Sequence, residues 1–194
     1  MVSCLYAECF LLAVFFPLLQ VGAKNKGGLY SFDVRDIHNQ VTSLEQYRGK
    51  ISLVVNVASE CGYTDEHYRH LTEIYNELTI EKNEPFTVLA FPCNQFGNQE
   101  PDNNEEILKF AQTNYAATFP IFGKTNVAGR NPDPIYGYIK DSFHSEPTWN
   151  FWKYLIDEKG AVINGWGPRV TVKDIKENIV GAIKKLKTKS HGEL

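Results

Sequence analysis

Apolar strand-like runs alternate with helix-like patterns along the chain, and this alternation limits the fold more than any other feature. The runs Ile51–Ala58 and Thr87–Phe91 are largely apolar, which is typical of parallel strands buried on both faces. Between them, apolar residues recur at helical spacing from about Thr64 to Leu78. Because a strand, a helix and a parallel strand form a βαβ unit, we predict an α/β fold.

The other predicted elements extend this order. They are an opening strand of a hairpin at Tyr30–Val34, helices at Asn104–Tyr115 and Pro134–Asp141, a short strand at Ile121–Phe122, a hairpin of Tyr154–Ile156 with Val162–Trp166, and a last helix at Val172–Leu186. No repeat or linker divides residues 24–194, so we expect one domain. The order predicts a thioredoxin-like fold, with a central mixed β-sheet flanked by helices and an N-terminal β-hairpin.

The charge of the chain argues against a nucleic-acid partner. Among 194 residues, 20 are Lys or Arg and 23 are Asp or Glu, and the formal net charge is −3. Such a chain has no global basic field to attract phosphate groups. The basic residues near its end are better explained as the solvated end of the last helix: Lys184, Lys185, Lys187 and Lys189.

The first 23 residues differ from the rest of the chain and predict a signal peptide. They hold no Lys or Arg, and the apolar run Cys9–Leu19 is shorter than the roughly 20 residues that span a bilayer. Small residues at Val21-Gly22-Ala23 suit cleavage before Lys24, although the missing positive charge leaves an uncleaved anchor as an alternative. We therefore expect residues 24–194 to form the mature domain, with no stable membrane span.

The last four residues, His191-Gly192-Glu193-Leu194, resemble the retrieval tetrapeptide of the endoplasmic reticulum (ER) in their final two positions. They depart from it at Gly192, where an acid or amide is usual. Together with the signal segment, this ending predicts the ER lumen, with secretion as the alternative.

Cys61 is the residue on which the predicted function depends. It lies where the strand Ile51–Ala58 ends and a helix begins, and a helix N-terminus favours the thiolate, which is the nucleophilic form. After removal of the signal, Cys93 is the only other cysteine, and the pair fits neither a disulfide scaffold nor a CxxC or zinc spacing. Both follow the ends of neighbouring predicted parallel strands, where open α/β sheets place their sites. We therefore predict redox chemistry.

Three ordered blocks of sequence resemble the signatures of the glutathione peroxidase family. They are Asn56-Val57-Ala58-Ser59-Glu60-Cys61-Gly62, the stretch from Phe91 to Pro101, and Trp149-Asn150-Phe151, and the resemblance covers about residues 29–188. The stretch from Glu146 to Leu155, with the signal segment and the ending, is most similar to the ER-resident members that contain cysteine. Those members use glutathione poorly and pass oxidising equivalents to protein disulfide isomerases.

The resemblance implies a catalytic tetrad of Cys61, Gln99, Trp149 and Asn150. Cys61 would be the peroxidatic residue, and the two amides and the indole N–H are neutral donors suited to a thiolate and to a departing oxygen. It also implies no bound cofactor and no metal, with a thiol reductant as co-substrate, either glutathione or a protein dithiol. His67 and His70 lie three residues apart without further ligands, so we expect surface histidines.

Attack on a hydroperoxide would convert Cys61 to a sulfenic acid, which condenses with a thiol. Cys93 is the candidate resolving cysteine within the mature chain, with a structural packing role as an equal alternative. A disulfide needs Cα atoms within about 7 Å, so we expect a Cys61–Cys93 bond to require movement of the Cys93 loop. Many relatives carry selenocysteine where this chain has Cys61, a departure that affects the expected speed and not the reaction type.

The sequence therefore predicts a thiol-dependent peroxidase that reduces hydrogen peroxide and organic or lipid hydroperoxides, with protein disulfide isomerases as partners. A short segment between Gly123 and Trp149 lacks the insertion that builds subunit contacts in tetrameric relatives, so we expect a monomer. Two alternatives stay open: a glutathione-dependent phospholipid hydroperoxide peroxidase, and a peroxide sensor or folding-factor partner with negligible turnover.

Overall fold

Six strands form two sheets in the computed structural model, which describes residues 27–192. The strands are β1 (Asp33–Arg35), β2 (Val41–Ser43), β3 (Ile51–Val57), β4 (Phe86–Pro92), β5 (Lys153–Ile156) and β6 (Val162–Trp166). β1 and β2 form an antiparallel hairpin, and the central sheet has the order β4-β3-β5-β6. In that sheet β3 and β4 are parallel, whereas β5 runs antiparallel to both β3 and β6. The predicted mixed sheet and N-terminal hairpin are confirmed.

Within residues 27–192, four α-helices flank the sheet, and the starts of α2 and α3 follow local capping signals. They are α1 (Thr64–Tyr75), α2 (Asn104–Tyr115), α3 (Pro134–Phe143) and α4 (Lys176–Gly192). The side chain of Asn103 accepts a hydrogen bond from the Glu106 amide at 3.1 Å and starts α2 at the predicted residue. Pro134 occupies the first turn of α3, where its missing N–H is not needed.

The sequence predictions were wrong for three elements. Residues Leu29–Ser31 form a short 3₁₀ turn instead of a strand, because the buried Tyr30 hydroxyl bonds to Ser52 at 2.8 Å. Ile121 and Phe122 make only isolated bridges. α4 starts four residues later than Val172, after a turn in which Asp174 accepts hydrogen bonds from the amide and hydroxyl of Thr171.

α1 also continues beyond its regular part. Its last turns, Asn76–Glu81, widen to a π-helical form, so the helical segment extends past the predicted end at Leu78.

The two faces of the central sheet carry separate apolar clusters. One face packs against α1, α2 and α4 and includes Leu53, Val55 and Cys61. The other packs against α3 and the N-terminal turn and includes Val54 and Cys93. Because successive residues of a strand point to opposite faces, this division follows directly from the alternation along β3.

Two sequence predictions concern segments outside the described residues: the signal peptide at residues 1–23 and the final Glu193-Leu194 of the retrieval-like ending. Within residues 27–192, no helix combines the length and apolar character needed to cross a membrane.

Candidate active site

Cys61 lies in the turn between β3 and α1, as predicted. Its amide donates to the Thr64 hydroxyl at 3.1 Å, and that hydroxyl donates to the Ala58 carbonyl at 2.8 Å. The Thr64 amide in turn donates to the Cys61 carbonyl at 2.9 Å. The side chain of Cys61 is only 8% exposed. The first residue of α1 therefore holds the thiol in a tight, nearly buried turn at the helix N-terminus.

Gln99 and Asn150 meet beside this turn. The fully buried Asn150 donates through Nδ2 to Gln99 Oε1 at 2.9 Å, and to the Phe96 carbonyl at 3.3 Å. The Gln99 carbonyl accepts from the Glu60 amide at 3.0 Å, which links Gln99 to the residue before Cys61. Since its oxygen faces Asn150, the NH₂ group of Gln99 is turned away from Asn150 and remains the donor that can serve a reacting group.

Gly97 leaves space for the Gln99 side chain because it has no Cβ atom. Its φ is +67°, and a Cβ atom built there would lie 3.3 Å from Gln99 Cδ. A side chain at this position would combine a strained backbone with a crowded Gln99 amide.

Trp149 forms the exposed border of the site. Its side chain is 39% exposed, and its ring lies 6.2 Å from the ring of Phe96 at a tilt of 37°. These two aromatic rings give the site an apolar rim that faces solvent.

Asn56 fixes the turn that carries Trp149 and Asn150. From inside β3, its Nδ2 donates to the Trp149 carbonyl at 3.0 Å and its Oδ1 accepts from the Trp152 amide at 3.0 Å. Its main-chain carbonyl accepts from the Phe151 amide at 2.7 Å. Phe151 adopts a left-handed conformation with φ of +63°, which is costly for a bulky residue unless its surroundings hold it.

Sequence analysis did not assign a role to Asn56. A signal was present, because an amide interrupts the apolar run of a strand that is buried along its whole length. A buried amide needs hydrogen-bond partners, and here they lie on the turn before β5.

His67 is buried, so the prediction of a surface histidine there was wrong. Its ring stacks on Phe151 with centroids 4.9 Å apart and planes 7° apart, and Nε2 pairs with the Pro168 carbonyl at 2.9 Å. Burial, with a smaller effect from the nearby Lys153, lowers the pKa of His67 to about 4. Among the described residues, no group of three or more His, Cys, Asp or Glu side chains is arranged to hold a metal ion.

Glu100, directly after Gln99, is a buried acid that sequence analysis also missed. The side chain is completely shielded from solvent, and neither carboxyl oxygen has a partner in hydrogen-bonding geometry. Burial raises its pKa to about 7, against a smaller opposing effect of the nearby Ser59. The carboxyl therefore changes its charge in the neutral pH range.

Cys93 is buried on the face of the sheet opposite Cys61. Its thiol lies 3.4 Å from Gln95 Oε1, its sulfur accepts from the Gln95 amide at 3.4 Å, and its own amide continues the ladder to Val57. Burial raises the pKa of the Cys93 thiol. Both cysteines are free. The structure thus joins Gln99 and Asn150 to the Cys61 turn and leaves Cys93 apart from them.

Known proteins share this arrangement of sequence and fold. The glutathione peroxidase family model matches residues 29–140, more than half of the chain. Glutathione peroxidase 7 of Homo sapiens is 46% identical over 164 residues, which cover 84% of this chain and 86% of the relative. Probable glutathione peroxidase 8 of Homo sapiens is 42% identical over 165 residues, covering 85% and 78%. The crystal structure of T. cruzi GPX1 matches with a TM-score of 0.64 and 32% identity, covering 81% of this chain and 97% of that chain. The chain therefore belongs to the glutathione peroxidase family, as its three sequence blocks predicted, and is a peroxidase that takes a hydroperoxide as substrate and a thiol as reductant.

Proposed function

We propose that Cys61 is the peroxidatic nucleophile and that Gln99, Trp149 and Asn150 complete a catalytic tetrad. Gln99 and Trp149 donate hydrogen bonds to the reacting groups, and Asn150 orients the Gln99 amide by donating to its oxygen. The observation that carries the proposal is the hydrogen bond from Asn150 to Gln99. The main-chain carbonyl of Gln99 in turn accepts a hydrogen bond from Glu60, the residue before Cys61. Neutral N–H donors stabilise a thiolate before attack and an alkoxide afterwards, without adding a negative charge that would repel either.

In the proposed reaction, the Cys61 thiolate attacks the terminal oxygen of the hydroperoxide. An S–O bond forms while the O–O bond breaks, and the sulfur is oxidised by two electrons. The departing oxygen takes a proton and leaves as an alcohol, or as water when the substrate is hydrogen peroxide. Cys61 is left as a sulfenic acid. The exposed rim of Trp149 and Phe96 supports organic and lipid hydroperoxides as substrates beside hydrogen peroxide.

We propose a protein dithiol of the disulfide isomerase type as the reductant, with glutathione as the alternative. One thiol attacks the sulfenic sulfur, releases water and forms a mixed disulfide, and the second thiol then displaces Cys61 as a thiol. The position of Cys93 on the opposite face of the sheet supports an external thiol. The resemblance to the ER-resident cysteine-containing members supports a protein dithiol in particular.

We also propose that the protein acts as a monomer in the ER lumen after cleavage of residues 1–23. The signal-like segment and the retrieval-like ending support the location, and the short segment between Gly123 and Trp149 supports the monomer. N-terminal sequencing of protein made in the secretory pathway should begin at Lys24, and sedimentation should give the mass of one chain. A retained N-terminus, or a stable dimer, would contradict the corresponding part of the proposal.

Mass spectrometry of peroxide-treated protein with a sulfenic-acid trap tests the role of Cys61. Wild type and Cys93→Ser should both show trapped sulfenic acid on Cys61, and Cys61→Ser should consume no peroxide. A Cys61 that stays reduced in excess peroxide would refute its proposed role. A Cys61–Cys93 disulfide in the wild type would instead assign the resolving role to Cys93.

Steady-state peroxide consumption identifies the reductant. We expect faster turnover with a reduced protein disulfide isomerase than with an equal concentration of glutathione thiols. The reverse order would favour the glutathione-dependent enzyme. No turnover with either, despite a reactive Cys61, would leave only the sensor role.

A further inference from the structure

A fully buried lysine lies directly behind the turn that carries Trp149 and Asn150. Lys153 is the first residue of β5, and its side chain has no exposed surface. It is paired in register with Val55 and lies two residues before Leu155, so it points to the face of the sheet that also holds Cys61. Lysine is almost never fully buried without a specific partner, because removing its charge from water is costly.

The partners of Lys153 are main-chain carbonyls. Its Nζ donates to the Phe151 carbonyl at 2.7 Å and to the Gly167 carbonyl at 3.2 Å. The first bond completes the turn, since the carbonyl of Trp149 and the amides of Phe151 and Trp152 are all held by Asn56. Phe151 is the strained residue of this turn, and its carbonyl is the group that Asn56 does not reach.

The second bond ties the same turn to the loop after β6. The Gly167 carbonyl precedes Pro168, whose own carbonyl pairs with His67, and the His67 ring stacks on Phe151. Lys153 therefore joins the turn that contains Phe151 to a loop that pairs with His67, the residue stacked on Phe151. Loss of its amine would leave the Phe151 carbonyl buried without its donor and would relax a turn whose conformation is already costly.

We propose that Lys153 is a positioning residue of the peroxidase, which holds the Phe151 turn so that Trp149 stays at the border of the site and Asn150 keeps its hydrogen bond to Gln99 beside Cys61. This inference rests on the proposed roles of Trp149 and Asn150. Lys153 itself does not contact the peroxide. Its effect is on the rate of Cys61 oxidation, because small displacements of oriented groups reduce rates strongly.

The test compares Lys153→Met with Leu155→Ala in the full chain. The first removes the amine and keeps the length of the side chain, and the second removes apolar contacts from the same face of β5 without touching the turn. The second-order rate constant for oxidation of Cys61 by hydrogen peroxide is measured by quenching and mass spectrometry. We expect a decrease of about tenfold or more for Lys153→Met and less than about threefold for Leu155→Ala. An unchanged rate in Lys153→Met, or equal decreases in both variants, would overturn the inference.

Lys153→Gln provides a second variant if Lys153→Met does not fold. It keeps an N–H donor on a shorter, uncharged side chain, so its rate should lie between those of the wild type and a full loss. A wild-type rate for Lys153→Gln would also overturn the inference. If the wild type itself forms no sulfenic acid, the proposed function fails. If the wild type forms sulfenic acid and the lysine variant does so at the same rate, only the inference about Lys153 fails.

A pH profile separates positioning from a structural role. Burial lowers the pKa of Lys153 to about 7, while Asp174 and Glu66 oppose this effect. Two histidines also belong to this group of charges. His67 interacts with Lys153 directly, and His70 interacts with Asp174. The measured oxidation rate is first divided by the fraction of Cys61 present as thiolate. This corrected rate should fall in the wild type as pH rises through 7, because the charged ammonium of Lys153 is a stronger hydrogen-bond donor than the neutral amine. Glu100, beside Gln99, titrates in the same range in both proteins, so the step should be smaller in Lys153→Met than in the wild type. Steps of equal size in both proteins would contradict the inference.

Discussion

Replacement of Glu100 by Gln tests whether a buried acid next to the site reduces stability at neutral pH. The carboxyl titrates at about 7 in the folded protein and at 4.5 as an ordinary glutamate. Between these pH values the unfolded chain has lost the proton and the folded chain keeps it. The contribution of Glu100 to stability therefore falls as pH rises from 4.5 to 7 and stays low above 7. At 1.36 kcal/mol per pH unit, the full loss is about 3 kcal/mol.

Glu100→Gln keeps the shape of the side chain and removes the titration. We measure the free energy of unfolding in urea at pH 4.5 and at pH 8 for both proteins. Between these pH values the wild type should lose about 3 kcal/mol relative to the variant. The comparison uses the change with pH instead of the absolute stability, because the buried amide brings hydrogen-bonding demands of its own. The same subtraction cancels the effects of other titrating groups such as His67.

Glu105→Gln is the matched control, because Glu105 is an exposed acid in the first turn of α2. It should leave the wild-type change with pH nearly intact. The reasoning fails if Glu100→Gln and the wild type lose the same stability over this range, since the buried carboxyl would then carry no penalty for its charge.

Two further variants test the supports of the site. Asn56→Leu removes both side-chain hydrogen bonds to the turn, so we expect the free energy of unfolding in urea to fall by about 2–4 kcal/mol. Oxidation of Cys61 should slow more in Asn56→Leu than in Val57→Ala, a control in the same strand, and equal oxidation rates would contradict this role. His67→Phe keeps the stack on Phe151 and removes a group whose pKa is lowered from 6.5 to about 4. Because the unfolded chain binds the proton first, protonation of His67 lowers stability as pH falls from 6.5 to 4, against the gain from Glu100 in the same range. In thermal unfolding over this range, the wild type should therefore lose stability relative to His67→Phe.

Elements with local signals were predicted well from the sequence. α2 has the predicted bounds because the Asn103 cap and the acids of its first turn are neighbours in sequence. The turn at residues 29–31 and the late start of α4 were not foreseen. Tyr30 is held by Ser52 on the central sheet, so its conformation depends on a residue 22 positions away. At α4, Thr171 and Asp174 exchange hydrogen bonds in the manner of a capping box, yet the residues directly after Thr171 form a turn and the regular helix begins only at Lys176.

The sequence by itself determined the βαβ order, the placement of Cys61 before a helix, and the three blocks that identify the family. These follow from periodicity and from the order of residue types, which are local properties. Only the tertiary structure decided which side chains support the proposed tetrad. Asn56, Lys153 and Glu100 are buried polar groups. Asn56 bonds to the turn before β5 and Lys153 bonds to the loop after β6, and burial shifts the pKa of Lys153 and of Glu100. The structure also decided that Cys61 and Cys93 belong to separate apolar clusters, because the turn after β3 and the loop after β4 lead their side chains to different faces of the sheet.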